Sequence, residues 1–163
     1  MAPTKYAALL LAAAGCRAGP RDQPGHLYAS IVQPPHDTVR FSAVGFAHRC
    51  GRGGWLWEGH TGGNGVLIWT RAPASVGELR LLTRGDSVTP RGAMVATRFM
   101  VGDGARGVTL DSGAVTLDST ARGLSARAAG TGLDAAAGHR VRVEAWFDSI
   151  PAAADTVTCR VQI

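Results

Sequence analysis

From residue 38 to the C-terminus, apolar residues recur at close to every second position, and that period of two confines the chain to strands. Residues 139–148 carry the pattern most cleanly. Val141, Val143, Ala145 and Phe147 fall on one face, and Arg140, Arg142, Glu144 and Trp146 on the other. One covered and one wetted face of an antiparallel sheet produce this alternation. Shorter runs follow the same rule at 78–83, 93–101, 107–111, 114–118, 124–129 and 155–162, between Gly-rich turns. Val66-Leu67-Ile68-Trp69 is continuously apolar, as in a strand covered on both faces. Residues 38–49 alternate through Val39, Phe41 and Ala43, then change phase to Val44, Phe46 and His48, which predicts a bulge near Gly45. The Ala-rich stretch 132–138 permits a helix but is too short to stand alone. About seven to nine short antiparallel strands predict an all-β domain, a β-sandwich first and a small β-barrel as the alternative.

Charge excludes one class of function. Lys5 is the only lysine among 17 Lys and Arg, which stand against 12 Asp and Glu. The arginines run from Arg17 to Arg160 without a cluster. A nucleic-acid binder concentrates its basic residues on one element, so no nucleic-acid partner is expected. Arginine in place of lysine, with heavy use of Ala and Gly, matches a GC-rich coding sequence.

The N-terminus carries a different signal. Lys5, the apolar run 6–14 and the sequence Ala13-Ala14-Gly15-Cys16 resemble the signal peptide and lipobox of bacterial lipoproteins, with Ala13 where leucine is usual. Nine apolar residues are too few to span a bilayer core, which needs about 20. The resemblance implies removal of residues 1–15, acylation of Cys16 and attachment to the membrane through the acyl chains. At about 0.8 kcal/mol per buried methylene, three chains make that attachment effectively permanent. Arg17 in the second mature position, where an aspartate would retain the protein at the inner membrane, implies the outer membrane of the cell envelope. Residues 16–37, with Pro20, Pro24, Pro34 and Pro35, read as the lipidated cysteine and a Pro/Gly-rich tether with a reach of about 25 Å. A single all-β domain then occupies 38–163, enough chain for one core and not for two.

With Cys16 committed to lipid, Cys50 and Cys159 remain as an even pair in an oxidising compartment, and a structural disulfide is expected between them. The second half of the chain also has a recognisable pattern. Gly113-Ala-Val-Thr-Leu-Asp-Ser, Gly123-Leu-Ser-Ala-Arg, Arg140-Val-Arg-Val-Glu-Ala-Trp-Phe and the late Cys159 together resemble β-rich lipoproteins of GC-rich bacteria. That likeness covers residues 111–163; it implies a fold and carries no activity.

Chemistry-bearing residues are sparse. His48, Cys50, Glu58 and His60 have metal-ligand types, and a hairpin could gather them, with His48 and His60 the candidate ligands. A cysteine in a disulfide is lost as a thiolate ligand, so no metal and no cofactor are expected. There is no Gly-x-Ser-x-Gly elbow, and a mature chain without lysine has no Ser-x-x-Lys. Asp111 and Asp118 read as strand-end residues bonded to turn backbone, not as an acid–base pair. Thr61-Gly62-Gly63-Asn64-Gly65 reads as a hairpin turn, since no helix follows to make it a phosphate loop, and Arg84-Gly85-Asp86 reads as a turn. Of the four tryptophans, Trp55 and Trp57 share a face by their spacing, and Trp146 lies on the polar face of its strand. Exposed rings of this kind bind sugars or anchor protein interfaces.

The sequence therefore points to a non-enzymatic binding or interaction module of the envelope, touching a protein or glycan partner through Trp55, Trp57 and Trp146. One alternative is a structural accessory subunit of an envelope complex; a second is a metal-dependent enzyme built on His48 and His60.

Overall fold

The computed structural model describes residues 25–35, 37–51, 53–71 and 76–159. The expected signal peptide, Cys16 and residues 17–24 of the expected tether lie outside the described residues. Ten strands follow one another: β1 Gly25–Gln33, β2 Asp37–Cys50, β3 Trp55–Thr61, β4 Asn64–Arg71, β5 Gly77–Arg80, β6 Gly92–Val101, β7 Gly104–Thr120, β8 Gly123–Asp134, β9 His139–Ile150 and β10 Ala152–Val157. No helix occurs among the described residues.

The all-β expectation holds, and the alternative architecture replaces the sandwich. β1 pairs with β2 on one side and with β9 on the other, so β1-β2-β3-β4-β6-β7-β8-β9 close into an eight-stranded antiparallel barrel. Closure leaves no long sheet to stack on a second one. The strand that closes the ring is the part of the chain read as tether. Leu27, Ala29, Ile31 and Gln33 of β1 are buried in alternation, and Pro34 and Pro35 form the turn into β2. Prolines on both sides suggest a linker, but a proline outside a strand end costs no ladder hydrogen bond.

The two longest strands each serve two neighbours along one edge. β2 pairs with β1 up to Gly45 and with the parallel β10 from Ala47 to Cys50. β7 pairs with β6 up to Thr109 and with β5 from Ala114 to Leu117. The runs expected separately at 107–111 and 114–118 are thus one strand, with an extra residue at Asp111 where the register to β8 shifts. No shift occurs in the pairings of β2 with β1 and β3, so the bulge expected near Gly45 is absent. Val44 and Phe46 instead sit on the outer face, 44% and 50% exposed. Likewise β4 is not covered on both faces: Val66, Ile68 and Thr70 are buried while Leu67 and Trp69 are half-buried outside.

Side chains fill the barrel. Trp57, Phe99, Phe147, Leu27, Ile31 and Leu110 are among its largest fully buried residues, and the Trp57 and Phe147 rings meet edge to face at 5.9 Å. An apolar interior and a wall carrying Arg140, Arg142 and Glu144 outward are the inverse of a membrane-spanning barrel, whose lipid-facing wall is apolar.

Among the described residues, one buried charge lies inside this apolar frame. Asp134, 1% exposed, accepts hydrogen bonds from Arg106 Nη1 at 3.1 Å and from the N–H groups of Ala136 and Ala137 at 3.0 and 3.3 Å. It thereby shapes the β8–β9 turn, where the sequence permitted a helix. Burial pushes its pKa up, but the Arg106 bond, the two N–H groups and the Arg106 charge outweigh this and hold it below 3.8. A carboxylate depressed by folding stabilises the fold above its unfolded pKa, and that contribution is lost as the pH falls through the folded value. Thermal unfolding across pH should therefore show stability declining below about pH 4. Asp134→Asn keeps an acceptor for the turn but not the charge. It should cost about 2 kcal/mol at pH 7 and flatten the acid decline.

Candidate functional site

Four adjacent strands, β2, β1, β9 and β8, build one side of the barrel, and their register fixes what faces solvent there. Ser42, Tyr28, Trp146 and Arg127 align in one row across the wall, and Arg40, Ser30, Glu144 and Ala129 in the next. Short side chains at Ser30, Ser42 and Ala129 leave the wall low between taller neighbours. The result is an open trough of about 670 Å3 whose floor is the backbone around Ala29, Phe41, Ala128 and Ala145. That volume lies within the roughly 300–1,000 Å3 of ligand sites.

Tyr28 is 49% and Trp146 42% exposed, and their ring centroids lie 6.3 Å apart with the planes tilted by 45°. The Arg127 guanidinium carbon stands 5.3 Å from the centre of the Trp146 ring. Glu144 accepts from Arg142 Nε and Nη2 at 3.1 and 2.7 Å, so its charge is already engaged. Among the described residues, neither Arg40 nor Arg127 forms an ion pair. The arrangement can hold a flat ring by its face and an anion by its edge. Among the described residues, no histidine lines the trough beside Ser30 and Ser42.

The tryptophans divide between site and core. Trp146 belongs to the trough. Trp57, expected on a contact surface, is 1% exposed and faces inward, because β3 pairs with Ala47 of β2 on one side and Ile68 of β4 on the other, both buried. Trp55 points the same way, packs against the core and is half-buried, with Arg49 5.3 Å from its ring centre. Spacing puts the two rings on one face, and the neighbouring strands make that face the interior. Sequence reasoning missed Tyr28 by treating β1 as tether, and Arg40 and Arg127 by counting arginines along the chain instead of across it. Arg127 lies on β8, two residues before Ala129, and its register partner is Trp146.

The other candidates are dispersed. Cys50 and Cys159 form a disulfide, their Cα atoms 5.3 Å apart, which takes Cys50 out of the candidate metal cluster. His48 Nε2 lies 3.5 Å from Glu58 Oε1, and His60 sits two residues along β3 in a separate shallow depression of about 410 Å3 that also includes Glu58, Leu67 and Arg98. Among the described residues no group of three or more His, Cys, Asp or Glu side chains could hold a metal ion. Asp111 pairs with Arg140, while Asp118 accepts its neighbour Ser119 N–H at 2.7 Å, so the two carboxylates are engaged separately. Gly62 and Gly63 make the two-residue turn between β3 and β4, and Asn64 Oδ1 accepts the Met100 N–H at 2.9 Å. Asp86 of the Arg84-Gly85-Asp86 turn accepts from Val88 and Thr89 N–H and pairs with Arg71. Those bonds, led by the Thr89 hydroxyl, hold its carboxyl below the usual value against a desolvation that pushes it up.

No protein-family model, no curated protein and no solved structure matches the chain. Fold and site define it as a closed, core-filled, disulfide-linked barrel with an aromatic trough on its outer wall.

Proposed function

We propose that the chain is a binding module of the bacterial cell envelope, anchored by lipid on Cys16, that contacts its ligand through the Tyr28–Trp146 trough. The observation that carries this reading is a pair of half-exposed aromatic rings, side by side in a concave stretch of the outer wall. Exposed apolar surface gathered in one place marks a contact site, whereas single exposed residues do not. A side-chain-filled interior supports contact through the outside of the barrel. A second reading, a structural subunit of an envelope complex, draws on Val44 and Phe46, which extend exposed apolar surface along β2 beyond the trough.

Two substitutions separate anchor from contact. Cys16→Ser should move the protein from the membrane to the soluble fraction and leave ligand capture intact. Trp146→Ala should leave it in the membrane, change stability by less than about 1 kcal/mol, and abolish retention of solubilised envelope glycans on the immobilised full chain. Retention equal to wild type would remove the trough from the proposal, and membrane retention of the Cys16→Ser protein would remove the anchor.

A further inference from the structure

Resting on that reading of the trough, we infer that its ligand is an acidic saccharide, held by ring stacking on Tyr28 and Trp146 and by charge pairing with Arg40 and Arg127. The argument starts from what the wall can offer. The backbone groups of β1, β9 and β8 are taken up by neighbours on both sides, so recognition there falls to side chains. Those side chains are two tilted rings, the short hydroxyls of Ser30 and Ser42, and two guanidinium groups. Aromatic faces stack on the apolar faces of sugar rings, and hydroxyls exchange hydrogen bonds with sugar hydroxyls.

The charges narrow the class further. The one carboxylate lining the trough, Glu144, is engaged by Arg142, whereas Arg40 and Arg127 have no carboxylate partner among the described residues. Among the described residues, the lining therefore presents two positive charges without an ion-pair partner. They stand on β2 and β8, three strand spacings apart or about 14 Å, with the two rings between them. Guanidinium groups bind carboxylate and phosphate with two parallel hydrogen bonds. The Arg127 guanidinium carbon stands over the Trp146 ring, 5.3 Å from its centre, so its charge sits beside the ring platform on which a sugar would stack. A chain of sugar rings bearing acid groups at intervals matches this order of cation, rings and cation. A lipid surface would need the rings on a protruding rim, and here they line a depression.

The test is titration of the purified full chain, followed by calorimetry and tryptophan fluorescence, with maltotriose, trigalacturonate, glucose 6-phosphate, a hexaglutamate peptide and phosphatidylglycerol vesicles. The expected result is saturable binding of trigalacturonate or glucose 6-phosphate that weakens as salt rises, with maltotriose weaker. Which of the two binds assigns the acid as carboxylate or phosphate. Arg40→Gln and Arg127→Gln should each weaken the acidic probe about tenfold and leave maltotriose within about twofold, while Arg122→Gln in the β7–β8 turn changes neither. Equal affinity for maltotriose and trigalacturonate, with both arginine variants silent, would overturn the acid preference and leave the trough standing. Binding confined to the vesicles or the peptide would overturn the saccharide. Saccharide binding that survives Trp146→Ala would place it elsewhere and overturn both this inference and the trough itself. Circular dichroism of each variant, all at exposed positions, checks that the barrel is intact.

Discussion

Replacing Cys50 and Cys159 together by serine is expected to lower stability by about 4 kcal/mol and the thermal midpoint by about 12 °C. The bridge spans a sequence separation of 109 residues, from the end of β2 to beyond β10, so it removes a large share of the unfolded chain's freedom. Its position adds a local term. Among the described residues, β10 runs beside the last residues of β2 through the pairs Ala152–Ala47, Thr156–Arg49 and Val157–Cys50 and the Gly51 N–H bond to the Val157 carbonyl, with an irregularity between the first two pairs. A short strand held so thinly would fray without a covalent tie. The two contributions separate in one experiment. Loss of loop-closure entropy lowers hydrogen-exchange protection across the whole barrel, whereas release of β10 alone exposes only the C-terminal half of β2. A drop below about 1 kcal/mol with changes confined to β2 and β10 would mean that the bridge only pins the last strand.

How much of the fold and the trough is legible in the sequence depends on which side of a strand has to be named. β9 is readable because its apolar face alternates without a break for four positions and its outward face is charged, so the pattern alone puts Trp146 on the outer wall. Trp55 and Trp57 show the limit of that logic. A spacing of two says that two residues share a face, but only the strands on either side say whether the face looks in or out. Val44 and Phe46 mislead for the related reason that apolar residues on an outer face break the alternation just as a bulge does. β1 carries a clean alternation of its own, Leu27, Ala29 and Ile31, but prolines flank it and make the whole segment resemble a linker. That one segment supplies both the strand that closes the barrel and Tyr28, so the same prolines hide the architecture and half of the trough together.

Gly113→Ala should cost about 3 kcal/mol or more, from one added carbon. Gly113 follows the extra residue at Asp111, where β7 leaves β6 behind and takes up β5, and it lies opposite Gly130 of β8. Its φ of 122° is one that residues with a Cβ rarely adopt. A Cβ there would stand 2.1 Å from the Ala129 carbonyl oxygen and 2.5 Å from the Gly130 Cα, and both are backbone atoms that cannot rotate aside. The conformation and the close approach can be measured apart. Gly77, at the start of β5, has a φ of 121° with nothing within 4 Å of a built Cβ, so Gly77→Ala carries the backbone term alone, about 1–3 kcal/mol. The difference between the two variants in urea unfolding is then the cost of prising β7 from β8. If Gly113→Ala costs no more than Gly77→Ala, the strands separate easily at that point and the long strand does not depend on a glycine to turn the corner. A larger cost would identify the Gly113–Gly130 crossing as the place where the sheet is bent enough to close.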